Sequence, residues 1–315
     1  MYRVGITRNR DNAESPIRRI GGVLLPFLVY YAGFAVCFFF LSYFLQRITG
    51  LVAAEEEEVA KTATGIVNGI SMVAGAALLL PMLREELQWH QASYSSQKHC
   101  DGQAAGNGSR SDRLPGGGQG RFFLLTVILA TSSAVGLNIF LALTGLVQNA
   151  AGYQEVAQRQ YGVTFGVGLF LYVVVSPLAE EVVFRGVIYN RLRRIFYGVG
   201  NEIKLYGEQG RLVLAMVLSG LLFGIYHGNL VQGIYGGCMG VLISYMYERT
   251  HSFYVPCLFH AVANCVVYLM AQHAVVQEKL FTVPFCMVLF GITVFTIFLV
   301  EKQVETAAAA ADRHG

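Results

Sequence analysis

Apolar residues along this chain come in long unbroken runs, with neither the two-residue alternation of a half-buried strand nor the narrow stripe of a soluble amphipathic helix. Eight such runs stand out: Ile20 to Leu45, Thr64 to Leu83, Phe122 to Val147, Tyr161 to Tyr189, Leu212 to Tyr226, Leu230 to Tyr247, Tyr254 to Ala271 and Leu280 to Val300. Runs of this length, about 20 residues at 1.5 Å each, match the hydrocarbon core of a bilayer. The pattern predicts an all-α polytopic membrane bundle of about eight transmembrane helices. The expected partner of most of the surface is the lipid bilayer. One connection is long, Arg84 to Arg121, and its Gly, Ser, Gln and Asn content reads as a disordered linker. The expected organisation is therefore residues 1–121 as N-terminal spans with a cytoplasmic tail and linker, 122–302 as a membrane-embedded bundle carrying the chemistry, and 303–315 as a disordered tail.

Composition agrees. Of the 315 residues, 54% are hydrophobic and 14% charged, with a positive mean hydropathy, which excludes a soluble domain. The net charge of +3 gives no reason to expect nucleic acid as a partner. The position of the charges matters more than their sum. With the N-terminus placed inside, 18 of the 23 Lys and Arg residues fall in inside segments, 4 fall outside and Arg185 lies within a span, as the positive-inside rule requires. Both termini are then expected to face the cytoplasm, with the chain embedded in a bacterial cell membrane. The first apolar run is about twice the length of a signal-peptide core, so no cleavable leader is expected. The six cysteines form no CxxC pair and read as packing residues.

Against this apolar background, Ser176 to Arg185 sets two adjacent carboxylates, Glu180 and Glu181, at membrane depth. A charge there costs about 2.5 kcal/mol or more. Glu181 and Arg185 share a helix face and can neutralise one another, whereas Glu180 lies about 100° round the helix and has no such local partner. Two further spans carry polar residues at the same spacing, Phe223 with His227 and His260 with Asn264. Three i, i+4 faces can converge on one cavity. Depth is uneven: Glu180 and His260 lie about 13 to 15 Å from the inner ends of their spans, but His227 lies about 24 Å from Arg211. A break at Gly228-Asn229 would let His227 join them.

Several chemistries are excluded by inventory. All four Asp residues, Asp11, Asp101, Asp112 and Asp312, lie in tail or linker segments, so paired intramembrane aspartates are absent. There is no HExxH helix and no GxSG loop. Glu and His must do any acid–base work.

The ordered set Glu180-Glu181 with Arg185, Phe223 with His227, and His260 with Asn264 resembles the CAAX protease and bacteriocin-processing (CPBP or Abi) membrane family. Its patterns are Glu-Glu-x-x-x-Arg, Phe-x-x-x-His and His-x-x-x-Asn, and the resemblance covers roughly Gly162 to Leu269. It implies an intramembrane endopeptidase acting on a peptide or lipidated-protein substrate that enters from the membrane. Glu180 would be the general base, a role suited to a carboxylate sheltered from water. His227 and His260 would orient water, move a proton or, with Glu180, hold a divalent metal such as zinc. The Asn264 amide would donate to the oxyanion. Glu181, Arg185 and Phe223 would support them. Two other readings fit a polar core in a membrane: a non-catalytic immunity or partner-binding protein, and a proton-coupled transporter. The absence of a visible inverted repeat argues against transport.

Overall fold

The computed structural model describes residues 16–49, 57–100, 116–198, 207–273 and 279–312. The elements are α1 (Pro16–Thr49), α2 (Glu57–Ala77), α3 (Leu80–Cys100), α4 (Gly116–Leu143), a one-turn helix Leu146–Asn149, and α5 (Ala151–Tyr161). A continuous rod, α6, then runs from Phe165 to Gly198 and contains two π-helical stretches, Leu171–Val175 and Val182–Tyr189. It is followed by α7 (Glu208–Tyr226), α8 (Leu230–Thr250), α9 (Tyr254–Ala271) and α10 (Val283–Asp312). No strand occurs among the described residues.

Six of these helices are long and apolar enough to cross a membrane, or seven if the α2–α3 pair, bent by 57°, forms one span. The remaining expected run, Leu230 to Tyr247, is the 21-residue helix α8. Its apolarity is diluted by Gly233, Gly236, Gly237 and Gly240, and the glycines are there for packing. A Cβ at Gly220 of α7 would lie 2.7 Å from the Gly237 carbonyl, and one at Gly240 would lie 2.9 Å from the Gly220 Cα. Backbones that approach this closely gain dispersion contact that larger side chains would forbid. Gly224 of α7 meets Gly233 of α8 in the same way. Replacing Gly224 by Leu is therefore expected to separate α7 from α8 and abolish the monodisperse folded protein, read by size-exclusion chromatography in detergent.

Two buried apolar cores flank the rod. One joins Tyr30, Met72, Phe184 and Phe223 from α1, α2, α6 and α7. The other joins Leu129, Ile243, Phe259 and Val300 from α4, α8, α9 and α10.

Two boundaries differ from the sequence expectation. Residues 84–100 are helical, not linker. Leu, Glu, Gln and Arg are good helix formers, and the helix is fastened to the rod. Glu86 of α3 accepts from Arg191 Nε at 3.0 Å and from Arg194 at 2.8 Å, while the Trp89 ring lies 4.9 Å from the Arg194 guanidinium. Arg121 likewise belongs to α4, which starts at Gly116; residues 101–115 lie outside the described residues. At the other end, α10 continues through the expected tail to Asp312, carried by the alanines of 307–311, the strongest helix formers.

Candidate active site

The rod α6 carries the carboxylates on its short α-helical segment Ser176–Glu181, between the two π-helical stretches. π-Helical turns cost hydrogen-bond geometry and recur at functional sites. Glu180 is only 6% exposed, and Glu181 and Arg185 are fully buried.

Glu181 is the hub. Its Oε1 accepts from Arg185 at 2.9 Å and from His260 Nδ1 at 2.7 Å. The Arg185 guanidinium also donates to the Gly240 carbonyl at 3.0 Å and lies 4.6 Å from the Phe223 ring centroid. Phe223 in turn meets both imidazoles edge-on, His227 at 4.9 Å and His260 at 5.5 Å. Because an ionised carboxylate only accepts, the bond to Glu181 assigns a proton to His260 Nδ1, and in the neutral imidazole Nε2 is then the acceptor. Nε2 lies 3.7 Å from Glu180 Oε2. That distance is too long for a direct hydrogen bond. The other Glu180 oxygen accepts from the Ser176 hydroxyl at 2.7 Å.

His227 follows the last residue of α7, and the chain reverses there. Gly228 takes the left-handed conformation at φ 70°, and Asn229 caps α8 by accepting from the Gln232 amide at 3.0 Å. The expected break at Gly228-Asn229 is thus present. His227 Nδ1 donates to the Phe223 carbonyl at 2.9 Å, and a Cβ at Gly236 would crowd its ring at 3.1 Å. Asn264 is held from α9 by a bond from its amide to the Tyr172 carbonyl at 3.0 Å, within the first π-helical stretch.

One cavity of about 390 Å³ is lined by Glu180, His227, His260 and Asn264, together with Ser176 and Phe223. Glu181 and Arg185 do not line it and stand behind Glu180 and His260. Among the described residues, no three His, Cys, Asp or Glu side chains form a group that could hold a metal ion. Glu180, His227 and His260, the three residues expected as zinc ligands, all line this cavity, and Glu180 and His260 approach each other in it. Sequence reasoning missed Ser176, Gly236, Gly240 and the Glu181–His260 bond. Ser176 carried a signal, since it sits one turn before Glu180.

Residues 162–266 match the family described as Type II CAAX prenyl endopeptidase Rce1-like. Among curated proteins, the chain is 28% identical over 97 residues to a Bacillus subtilis (strain 168) protein named "Putative membrane peptidase YdiL", covering 31% of this chain and 34% of that one. The chain thus spans about a third of the curated relative it matches. No solved structure gives a significant match. The three motifs lie in order within the matched residues 162–266, and in that segment the chain is similar to CAAX-protease-type membrane peptidases.

Proposed function

We propose that this protein is an intramembrane endopeptidase in which Glu180 activates the attacking water. The observation that carries the reading is the pairing of Glu180 Oε2 with His260 Nε2 at 3.7 Å on one cavity wall, a separation at which one water can touch both. Glu180 takes the proton, the water oxygen bonds to the scissile carbonyl carbon, and the carbonyl oxygen becomes the oxyanion. The proton then passes to the departing amine as the C–N bond breaks. Glu181 positions His260 through Nδ1 and is itself charge-balanced by Arg185. His227, with Nδ1 committed to the Phe223 carbonyl, presents Nε2 for substrate. The substrate is a polypeptide, lipidated or not, that reaches the cavity within the bilayer. The test is cleavage of membrane-anchored peptides by the protein in lipid nanodiscs, with product formation lost in the Glu180→Gln protein. A peptide series that is not cut at all would favour a binding or immunity factor instead.

Asn264 uses one amide hydrogen on the Tyr172 carbonyl and keeps a second for the oxyanion. Asn264→Ala is expected to raise the barrier by about 3 to 4 kcal/mol, a loss in kcat of about 10²- to 10³-fold. KM should change little if the amide acts chiefly in the transition state. Metal dependence is readable in the same assay. A site that gathers Glu180 and His260 without a third ligand is expected to keep its activity in a chelator; inhibition by the chelator and recovery with zinc would show that His227 moves in to complete a metal site.

A further inference from the structure

The helices that carry the catalytic groups line the cavity on one side of Glu180, and only the apolar Met239 and Ile243 of α8 reach past that level. On α6 the lining residues are Tyr172, Ser176 and Glu180, and none follows. On α9 they begin at His260 and run to Tyr268, with none before. On α7 they are confined to its last turn, and α4 contributes only Asn138 and Leu141, near its C-terminus. Glu180 and His260 are therefore the floor, and the cavity rises from them to the end of the bundle where α5 lies. Tyr153, Val156, Gln160 and Tyr161 of α5 complete its wall. Tyr161 also lines a second, shallower cavity of about 520 Å³ with Glu58, Lys61 and Gln272, which continues the polar surface to that end.

Below the floor the molecule is filled. Arg185, Tyr189, Asn190 and Arg193 are at most 1% exposed. The Tyr189 hydroxyl donates to Glu248 at 2.7 Å, and Arg193 meets the same carboxylate at 3.0 Å. The two ends also differ in charge. The filled end carries Arg84, Arg191, Arg193, Arg194, Arg249 and Lys302, whereas the open end carries Arg47, Lys61, Arg159 and Lys279. Short segments rich in Lys and Arg stay in the cytoplasm.

We propose that the catalytic cavity opens to the extracytoplasmic side, so that the substrate is a polypeptide segment presented from outside, such as the outer juxtamembrane stretch of an exported or membrane-anchored protein. The substrate class rests on the endopeptidase reading; the direction of opening does not. The wall facing the entrance suits a peptide backbone, because Asn68, Asn138, Gln160 and Gln232 supply amide donors and acceptors among the tyrosines.

The experiment replaces the six native cysteines by serine or alanine and introduces single cysteines by Gln160→Cys and Asn138→Cys in the cavity wall. Glu85→Cys, on an exposed carboxylate of α3, reports the filled end. Intact cells are treated with a membrane-impermeant maleimide. The first two are expected to label at a rate unchanged by permeabilisation, and the third only after it. The reverse pattern overturns the proposal, as does cavity labelling that needs detergent denaturation. In parallel, single-span reporter proteins carry a cleavable sequence on either the outer or the inner flank. Cutting on the outer flank alone supports the proposed substrate class, and cutting on the inner flank alone overturns it. Labelling as expected with neither reporter cut would refute the peptidase reading while leaving a cavity open to the outside.

Discussion

Glu180→Gln is expected to lower kcat by about 100-fold or more with the fold intact. The substitution keeps the size of the side chain and its ability to accept from the Ser176 hydroxyl, and removes only the capacity to take a proton from water. Losses of about 10²- to 10⁴-fold are typical for a general base. Binding of an uncleaved peptide and the thermal midpoint in detergent should be close to those of the parent protein. A Glu180→Gln protein that cuts at the parent rate would remove the base from the scheme. The polar core would then be better read as a device for partner binding or folding specificity.

Glu181→Gln is expected to do more damage by a different route. It leaves the fully buried Arg185 guanidinium without its counter-charge, and breaking a buried ion pair from one side costs about 3 to 5 kcal/mol. It also weakens the bond that fixes His260 Nδ1. Folding and activity should fall together. The two effects separate in Glu181→Gln/Arg185→Met, in which no buried charge is stranded. That double variant should regain the thermal midpoint but not the turnover, because His260 still lacks its carboxylate. Recovery of both would show that Glu181 serves the fold alone.

The parts of the site readable from the sequence were those encoded at i, i+4 on a single helix. Glu181 with Arg185, Phe223 with His227 and His260 with Asn264 announced themselves because a polar pair in an apolar run is costly and the spacing fixes a shared face. The Glu181–His260 bond joins residues 79 apart, and no local spacing encodes it. Arg185 could be assigned to Glu181 from sequence, but not its third contact, the Gly240 carbonyl, which depends on α8 crossing α7 at backbone distance. The same holds for the fold. Long apolar runs gave the spans, whereas α3 looked like linker because its polar residues say nothing by themselves. It is a helix whose contacts lie on another element, and Glu86 acquires meaning only opposite Arg191 and Arg194. The Ala-rich sequence at 307–311 carries high helix propensity, which the reading of 303–315 as a disordered tail left out of account.

The fastening of α3 to the rod has a bearing on modularity. Glu86 lies outside the segment shared with the family, residues 162–266, while the two arginines that it neutralises lie inside it. The seam between the additional N-terminal helices and the shared segment is therefore written in charge as well as in apolar shape. A chimaera that grafts the first helices of another protein onto this rod inherits two cations in search of an anion. Such a graft should assemble when the donor brings a carboxylate to the place of Glu86, and fail when it brings an apolar or basic side chain, however well the spans match in length.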